Sequence, residues 1–192
     1  MSRWFWVRHG PTHQRAFTGH RDVPADLSDL AALERLRQRL PSGALVVASD
    51  LTRASATADA IAQGRDRLPD RPGLREFDFG DWDGKGFAEV SASNPELSRR
   101  YWDEPGDCAP PNGESWNEAA ARVERVVADL RQAHPGRDMI VVAHLGVILT
   151  RLHAARGGAA REVLAQPLEP LSLTELRWDG QRWSEISANE TP

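Results

Sequence analysis

The chain has 192 residues, 40% of them hydrophobic and 27% charged, which suits one globular domain with a sizeable core and speaks against disorder or a membrane-embedded chain. A formal net charge of -4 gives no overall attraction for nucleic acid or anionic lipid, so a small molecule is the expected partner. Cys108 is the only cysteine, which leaves neither an intrachain disulfide nor enough thiolates for a Cys-based zinc site and points to a cytoplasmic protein.

Met1-Ser-Arg-Trp-Phe-Trp-Val reaches the charged Arg8 too soon for a secretory leader, so the fold is expected to begin within the first few residues. No later apolar run approaches the roughly 20 residues of a membrane span. Arg3 to Arg8 is short, aromatic and β-rich, and reads as a first strand broken by His9-Gly10-Pro11. Leu27, Leu30, Leu33, Leu36 and Leu40 recur every three or four residues and predict an amphipathic helix stopped by Pro41 and Gly43. Ala44 to Ala48 predicts a buried strand, and Ser49-Asp50 is expected to cap an Ala-rich helix running from near Thr52 to Gly64.

Residues 65–113 carry much of the Pro and Gly with only short helical stretches, such as Pro95 to Trp102, and predict a cap-like insertion lying over the sheet edge. Ser115 and Glu118 have the spacing of a capping box, and Ala119, Val123, Val126, Val127 and Leu130 extend the apolar stripe of a long helix toward His134. Asp138 to Ala143 is the clearest buried strand, followed by His144-Leu-Gly146 and an apolar helix from Val147 to near Ala155. Leu171 to Trp178 and Gln181 to Ser187 alternate with period two across Asp179-Gly180 and predict an antiparallel hairpin. Strands alternating with helices imply an α/β fold: a three-layer α/β/α sandwich whose mainly parallel sheet has an antiparallel edge, in a single domain over residues 1–192.

In such a sheet ligands bind beyond the carboxyl ends of the strands, and Arg8-His9-Gly10, Ser49-Asp-Leu-Thr-Arg53 and Val142-Ala-His144-Leu-Gly146 deliver suitable groups there. Phosphoryl transfer to a histidine nitrogen needs a nucleophile, cationic donors for the equatorial oxygens and a proton for the leaving group. Arg8 and Arg53 suit the donor role, because guanidinium stays charged and grips phosphate through paired N–H groups. Gly10 allows close backbone approach, and amides of the following turn are further candidate donors. Taken singly these residues are commonplace, since an arginine at a helix start or a histidine after a strand more often serves structure than chemistry.

Together, five motifs change that reading. Arg8-His9-Gly10-Pro-Thr12, Ser49-Asp-Leu-Thr-Arg53-Ala-Ser-Ala-Thr57-Ala58, Glu76-Phe-Asp-Phe-Gly80-Asp-Trp-Asp-Gly84, Gly113-Glu-Ser115 and Val142-Ala-His144-Leu-Gly146 occur in the order that resembles the histidine phosphatase, or phosphoglycerate mutase-like, superfamily. The resemblance implies that His9 becomes phosphorylated, that Arg8, Arg53 and His144 hold the phosphoryl oxygens with Gly10 and Thr12 beside them, and that Glu76 is the proton donor. A carboxyl with its pKa raised by burial fits that part, protonating the departing alkoxide and then deprotonating the attacking water.

No metal or organic cofactor is expected, because arginines and histidines take the charge that magnesium handles elsewhere. His13 and His20 lie near His9 in sequence, but no Asp or Glu falls between them at ligand spacing, and they are read as lining the pocket mouth. Pro11 stands where the family usually has Glu or Gln, and His13, Gln14 and Arg15 replace a common Asn, leaving Gln14 or Arg15 as candidate replacement donors.

Phe77 and Phe79 occupy places where the related mutases carry Arg and Tyr, and the segment from Glu76 to Glu114 is rich in acid, so hydrolysis is favoured over a mutase reaction on a bisphosphate. Trp82, Phe87, Tyr101, Trp102 and Trp116 serve either as an apolar lip for a large leaving group or as packing for the cap. Short length, Phe-Gly-Asp-Trp and Pro110-Pro-Asn-Gly-Glu-Ser look most like α-ribazole phosphatases of cobalamin synthesis, with a broad-specificity phosphatase or a phosphoglycerate mutase as alternatives. A phosphate sensor or scaffold would be expected to lose His9 or Glu76, and both are present. The expected partner is a small-molecule phosphate ester, with neither nucleic acid nor membrane, the chain acting as a monomer or homodimer.

Overall fold

Strand β1 (Ser2–Arg8) sends consecutive side chains to opposite sides of the sheet, so the run Trp4-Phe5-Trp6-Val7 supplies two cores at once. In the computed structural model, which describes residues 1–192, Trp4 and Trp6 join one buried cluster while Phe5 and Val7 join the other. With β2 (Leu45–Ala48), β3 (Met139–Ala143), β4 (Leu173–Trp178) and β5 (Trp183–Glu190), β1 forms one sheet in the order β2-β3-β1-β4-β5. The first three strands pair in parallel, and β4 and β5 are each antiparallel to the preceding neighbour.

Helices α1 (Leu30–Arg39) and α2 (Thr52–Ile61) cover the Phe5 face. Beyond α3 (Phe87–Ser93) and α4 (Pro95–Asp103), α5 (Trp116–Ala133), α6 (Leu145–Arg156) and the short α7 (Ala160–Leu164) cover the Trp4 face. The result is the expected three-layer α/β/α sandwich with a mainly parallel sheet. The capping box of α5 is present, Ser115 Oγ accepting from Glu118 N–H at 3.3 Å while Glu118 accepts from Ser115 N–H at 2.8 Å. None of the helices is long and apolar enough to cross a membrane.

Three local expectations change. The carboxylate of Asp29 accepts the Ala32 N–H at 2.9 Å, so α1 begins at Leu30, which faces solvent, and Leu27 packs from outside the helix. Helix α2 is not capped by Ser49 or Asp50, because Asp50 is taken by Arg75 through bonds of 2.8 and 2.6 Å and Ser49 Oγ accepts from Leu51 N–H; Asp22 instead accepts the Thr52 N–H at 2.7 Å. The segment 65–113 lies along the sheet edge only at its start, where Val46 N–H donates to Asp66 O and Leu68 N–H to Val46 O. Leu74 and Phe77 then enter the Trp4 core beside Trp116. From Phe79 onward the segment builds a small cluster of its own, with Trp82, Val90 and Tyr101 packed round Phe17, over the end of the sheet where β1 and β3 finish. Aromatic area that large cannot be left in water, and Phe17, from the loop after β1, is what ties it down.

Candidate active site

Parallel pairing sets Arg8 opposite Ala143, so the next residue of each strand is a histidine at the same end of the sheet. His9 N–H donates to Ala143 O at 3.0 Å, and the His9 and His144 ring centroids are 5.1 Å apart. Arg53 comes from the first turn of α2, just after β2, the other neighbour of β3. Glu76 arrives from the stretch that enters the core before the aromatic cluster. A cavity of about 220 Å³, open to solvent, is lined by Arg8, His9, Thr12, Gln14, Arg53 and Glu76, with Phe17, Phe79, Phe87 and Trp102 among its apolar walls. His144 does not line it; fully buried, it stands behind His9 and Arg53.

Hydrogen-bond partners fix the state of both imidazoles. His9 Nδ1 lies 2.7 Å from Gly10 O, and a carbonyl only accepts, so the proton is on Nδ1 and Nε2 keeps its lone pair. Arg53 Nε–H donates to His144 Nδ1 at 3.2 Å, which places the His144 proton on Nε2, an atom without a partner in the protein. Burial pushes His9 down to about 3, with Arg53 and Arg8 adding to the fall and the Gly10 bond opposing it. Burial likewise holds His144 well below the usual imidazole range, the neighbouring His9 and Arg53 contributing. The pair therefore presents one nucleophilic nitrogen and one N–H donor, both uncharged at neutral pH.

Each charged group is held by backbone. Arg8 Nη1 donates to Leu168 O. Arg53 donates to Gly19 O at 2.7 Å and Arg21 O at 3.0 Å, and those carbonyls are positioned by Asp83, whose carboxylate accepts from Gly19 N–H at 3.2 Å and Arg21 N–H at 2.9 Å. Glu76 accepts from Phe77 N–H at 3.0 Å and Gly146 N–H at 3.2 Å. A β-carbon at Gly146 would sit 2.6 Å from Glu76 Oε1, so only glycine admits the carboxyl there. Burial raises the Glu76 pKa above the usual carboxyl range, against those two donors and the charges of Arg53 and Arg8.

Some residues do something other than expected. Gly10 donates its N–H to Thr57 Oγ1 at 3.0 Å and does not line the cavity; a β-carbon there would meet Leu27 Cδ2 at 2.6 Å, so packing explains the glycine. Gln14 lines the cavity and Arg15 does not. Neither His13 nor His20 is among the lining residues; His13 is bound to Asp26 at 2.9 Å and His20 Nε2 to Glu76 O at 3.0 Å.

Sequence reasoning assigns Arg122 no place in the site and the motif residues Asp83 and Thr57 no role. Arg122, on α5, donates to Gly73 O, Arg75 O and Glu76 O and pairs with Glu114, clamping the chain at Glu76 and just before it. Replacing Arg122 by Met is expected to cost about 2 to 4 kcal/mol, since it strands the half-buried Glu114 and three carbonyls. Urea unfolding of the two proteins checks this; a loss below ~0.5 kcal/mol would show the clamp to be solvated.

The sequence pattern of the Histidine phosphatase superfamily (branch 1) matches residues 4–191. The chain is 33% identical over 189 residues, 93% of its length, to a bifunctional protein of Mycobacterium tuberculosis, of which it spans about half, 51%. It is 29% identical over 197 residues to the adenosylcobalamin/alpha-ribazole phosphatase of Escherichia coli, covering 99% of this chain and 91% of that protein. Among solved structures, a mycobacterial glucosyl-3-phosphoglycerate phosphatase complexed with VO3 superposes with a TM-score of 0.87 at 30% identity, covering 100% of both chains. With the match running almost from end to end, and with two histidines closing adjacent parallel strands beside a buried arginine, the chain belongs to the histidine phosphatase superfamily.

Proposed function

We propose that this protein is a phosphomonoesterase that hydrolyses a small-molecule phosphate ester through a phosphohistidine at His9. The observation that carries the reading is the lone pair on His9 Nε2 in a cavity lined by Arg8, Arg53 and Glu76. His9 Nε2 attacks phosphorus as the bond to the leaving oxygen breaks, and protonated Glu76 delivers its proton to that oxygen. Arg8 and Arg53, which line the cavity, take the charge on the phosphoryl oxygens, with Thr12 and Gln14 on the cavity wall and His144 holding Arg53 from behind through its Nδ1. Water then attacks phosphorus, gives its proton to Glu76, and the N–P bond breaks.

The single domain works as a sheet that carries the phosphoryl chemistry and a cap, built from the later part of 65–113, that faces the leaving group. Phe77 and Phe79 stand beside Glu76 where a mutase needs a clamp for a second anion, which favours hydrolysis. Names of the relatives make α-ribazole 5′-phosphate and glucosyl-3-phosphoglycerate the first two esters to assay, beside 3-phosphoglycerate. Hydrolysis is expected to persist undiminished in chelator, since the oxygens are met by the guanidinium groups of Arg8 and Arg53. Activity that vanishes in chelator and returns with magnesium, or efficient interconversion of 3- and 2-phosphoglycerate primed by the bisphosphate, would overturn the reading.

A further inference from the structure

The cavity that holds His9 is one of two that meet at Glu76. The second is a narrow pocket of about 70 Å³, partly open to solvent, and its walls include Phe77, Trp116, Leu149, Leu164, Tyr101 and Cys108. Glu76 is its only charged residue, and Glu76, Phe79, Trp102 and Leu145 belong to both cavities. In an in-line displacement the leaving oxygen lies across phosphorus from His9 Nε2, and the acid that protonates it must be within hydrogen-bond reach. The carbon skeleton on that oxygen therefore departs on the Glu76 side, where the walls offer rings and hydrocarbon. A carboxylate or second phosphate entering there would lose water and find no cation, only a carboxyl that repels it when ionised.

We propose that this second cavity is the leaving-group subsite, and that the substrate is the monoester of an apolar alcohol, aliphatic or aromatic, with no second anionic group. The assignment rests on the phosphatase reading of His9 and Glu76. Of the two esters named by the relatives, it disfavours glucosyl-3-phosphoglycerate, which carries a carboxylate.

Straight-chain alkyl phosphates from ethyl to hexyl test it, because their leaving groups differ little in basicity while the buried length grows. The expected rise in kcat/KM is about fourfold per methylene, equivalent to about 0.8 kcal/mol, until the cavity is full. Cys108→Trp, which fills part of the cavity, should level the series at a shorter chain. A second measurement, independent of turnover, uses the wild-type protein. Hexylphosphonate should slow alkylation of Cys108 by iodoacetamide more than methylphosphonate does at equal occupancy. A flat alkyl series with hydrolysis intact, a higher kcat/KM for 3-phosphoglycerate than for hexyl phosphate, or no protection of Cys108 would overturn the assignment. Protection by hexylphosphonate in a protein that hydrolyses none of these esters would instead overturn the phosphatase reading and leave the apolar subsite standing.

Discussion

Replacing His9 by Ala is expected to abolish turnover of alkyl and aryl phosphates alike, by about 10⁶ in kcat, the scale seen when a nucleophile is removed outright. Activated esters gain no exemption, because a good leaving group does not replace the atom that accepts phosphorus. The imidazole is neutral across the whole working range, held down to about 3 by burial and by two arginines, so no acid limb above about pH 4 should trace to it. Rapid quench of the wild type with labelled substrate should trap an acid-labile phosphoryl group, and mass spectrometry should place it on His9. Label on another residue, or residual activity in His9→Ala within tenfold of wild type, would reject the mechanism.

Glu76→Gln separates the two halves of the reaction. Its raised pKa keeps the carboxyl protonated above the usual carboxylate range, so proton donation is available at mildly acid pH and is lost as pH climbs through the raised value. Alkyl phosphates, whose alkoxides need that proton, should slow in single turnover by about 10² to 10⁴, and the falling alkaline limb should disappear in the variant. Aryl phosphates with good leaving groups should lose far less in the first turnover and then stall as phosphohistidine, because the base for water is missing. Gln is not a neutral replacement for structure: Glu76 accepts from both Phe77 N–H and Gly146 N–H, and the amide nitrogen of Gln must oppose one of them. Such a fault slows every substrate equally. Equal losses for alkyl and aryl esters would therefore remove Glu76 from the proton-donor role.

Much of this architecture was legible in the sequence, because the features that carry it are local. Period-two and near-3.6 patterns mark the strands and the long helix α5, and the histidines are noticed because each stops a strand. The parallel direction of β1 and β3 follows from the α/β alternation, whereas their adjacency, which brings His9 to His144, has no local signal in the sequence. What escaped has a different physical character. Arg122 and Arg53 act on backbone carbonyls 46 to 49 and 32 to 34 residues away, and carbonyls have no letter in a sequence. Gly10 misled for a related reason: its motif suggests a ligand, whereas the space it leaves open is occupied by Leu27. Leu30 shows that an apolar repeat can overrun the helix, since the cap at Asp29 decides where the turn begins.

The two carboxylate bonds from Asp83 to the amides of Gly19 and Arg21 limit how this protein can be re-engineered. Asp83 belongs to the segment proposed to face the leaving group, yet the carbonyls it steadies are those that grip Arg53. Exchanging that segment for one with a different preference is therefore not a modular operation. A graft without a carboxylate at this place frees the loop under Arg53, and the chimera loses grip on the phosphoryl group common to every substrate while its new lining is still being judged on the part that differs. Libraries that vary the cap for new esters should hold Asp83 fixed and diversify the walls around Cys108 and Leu164.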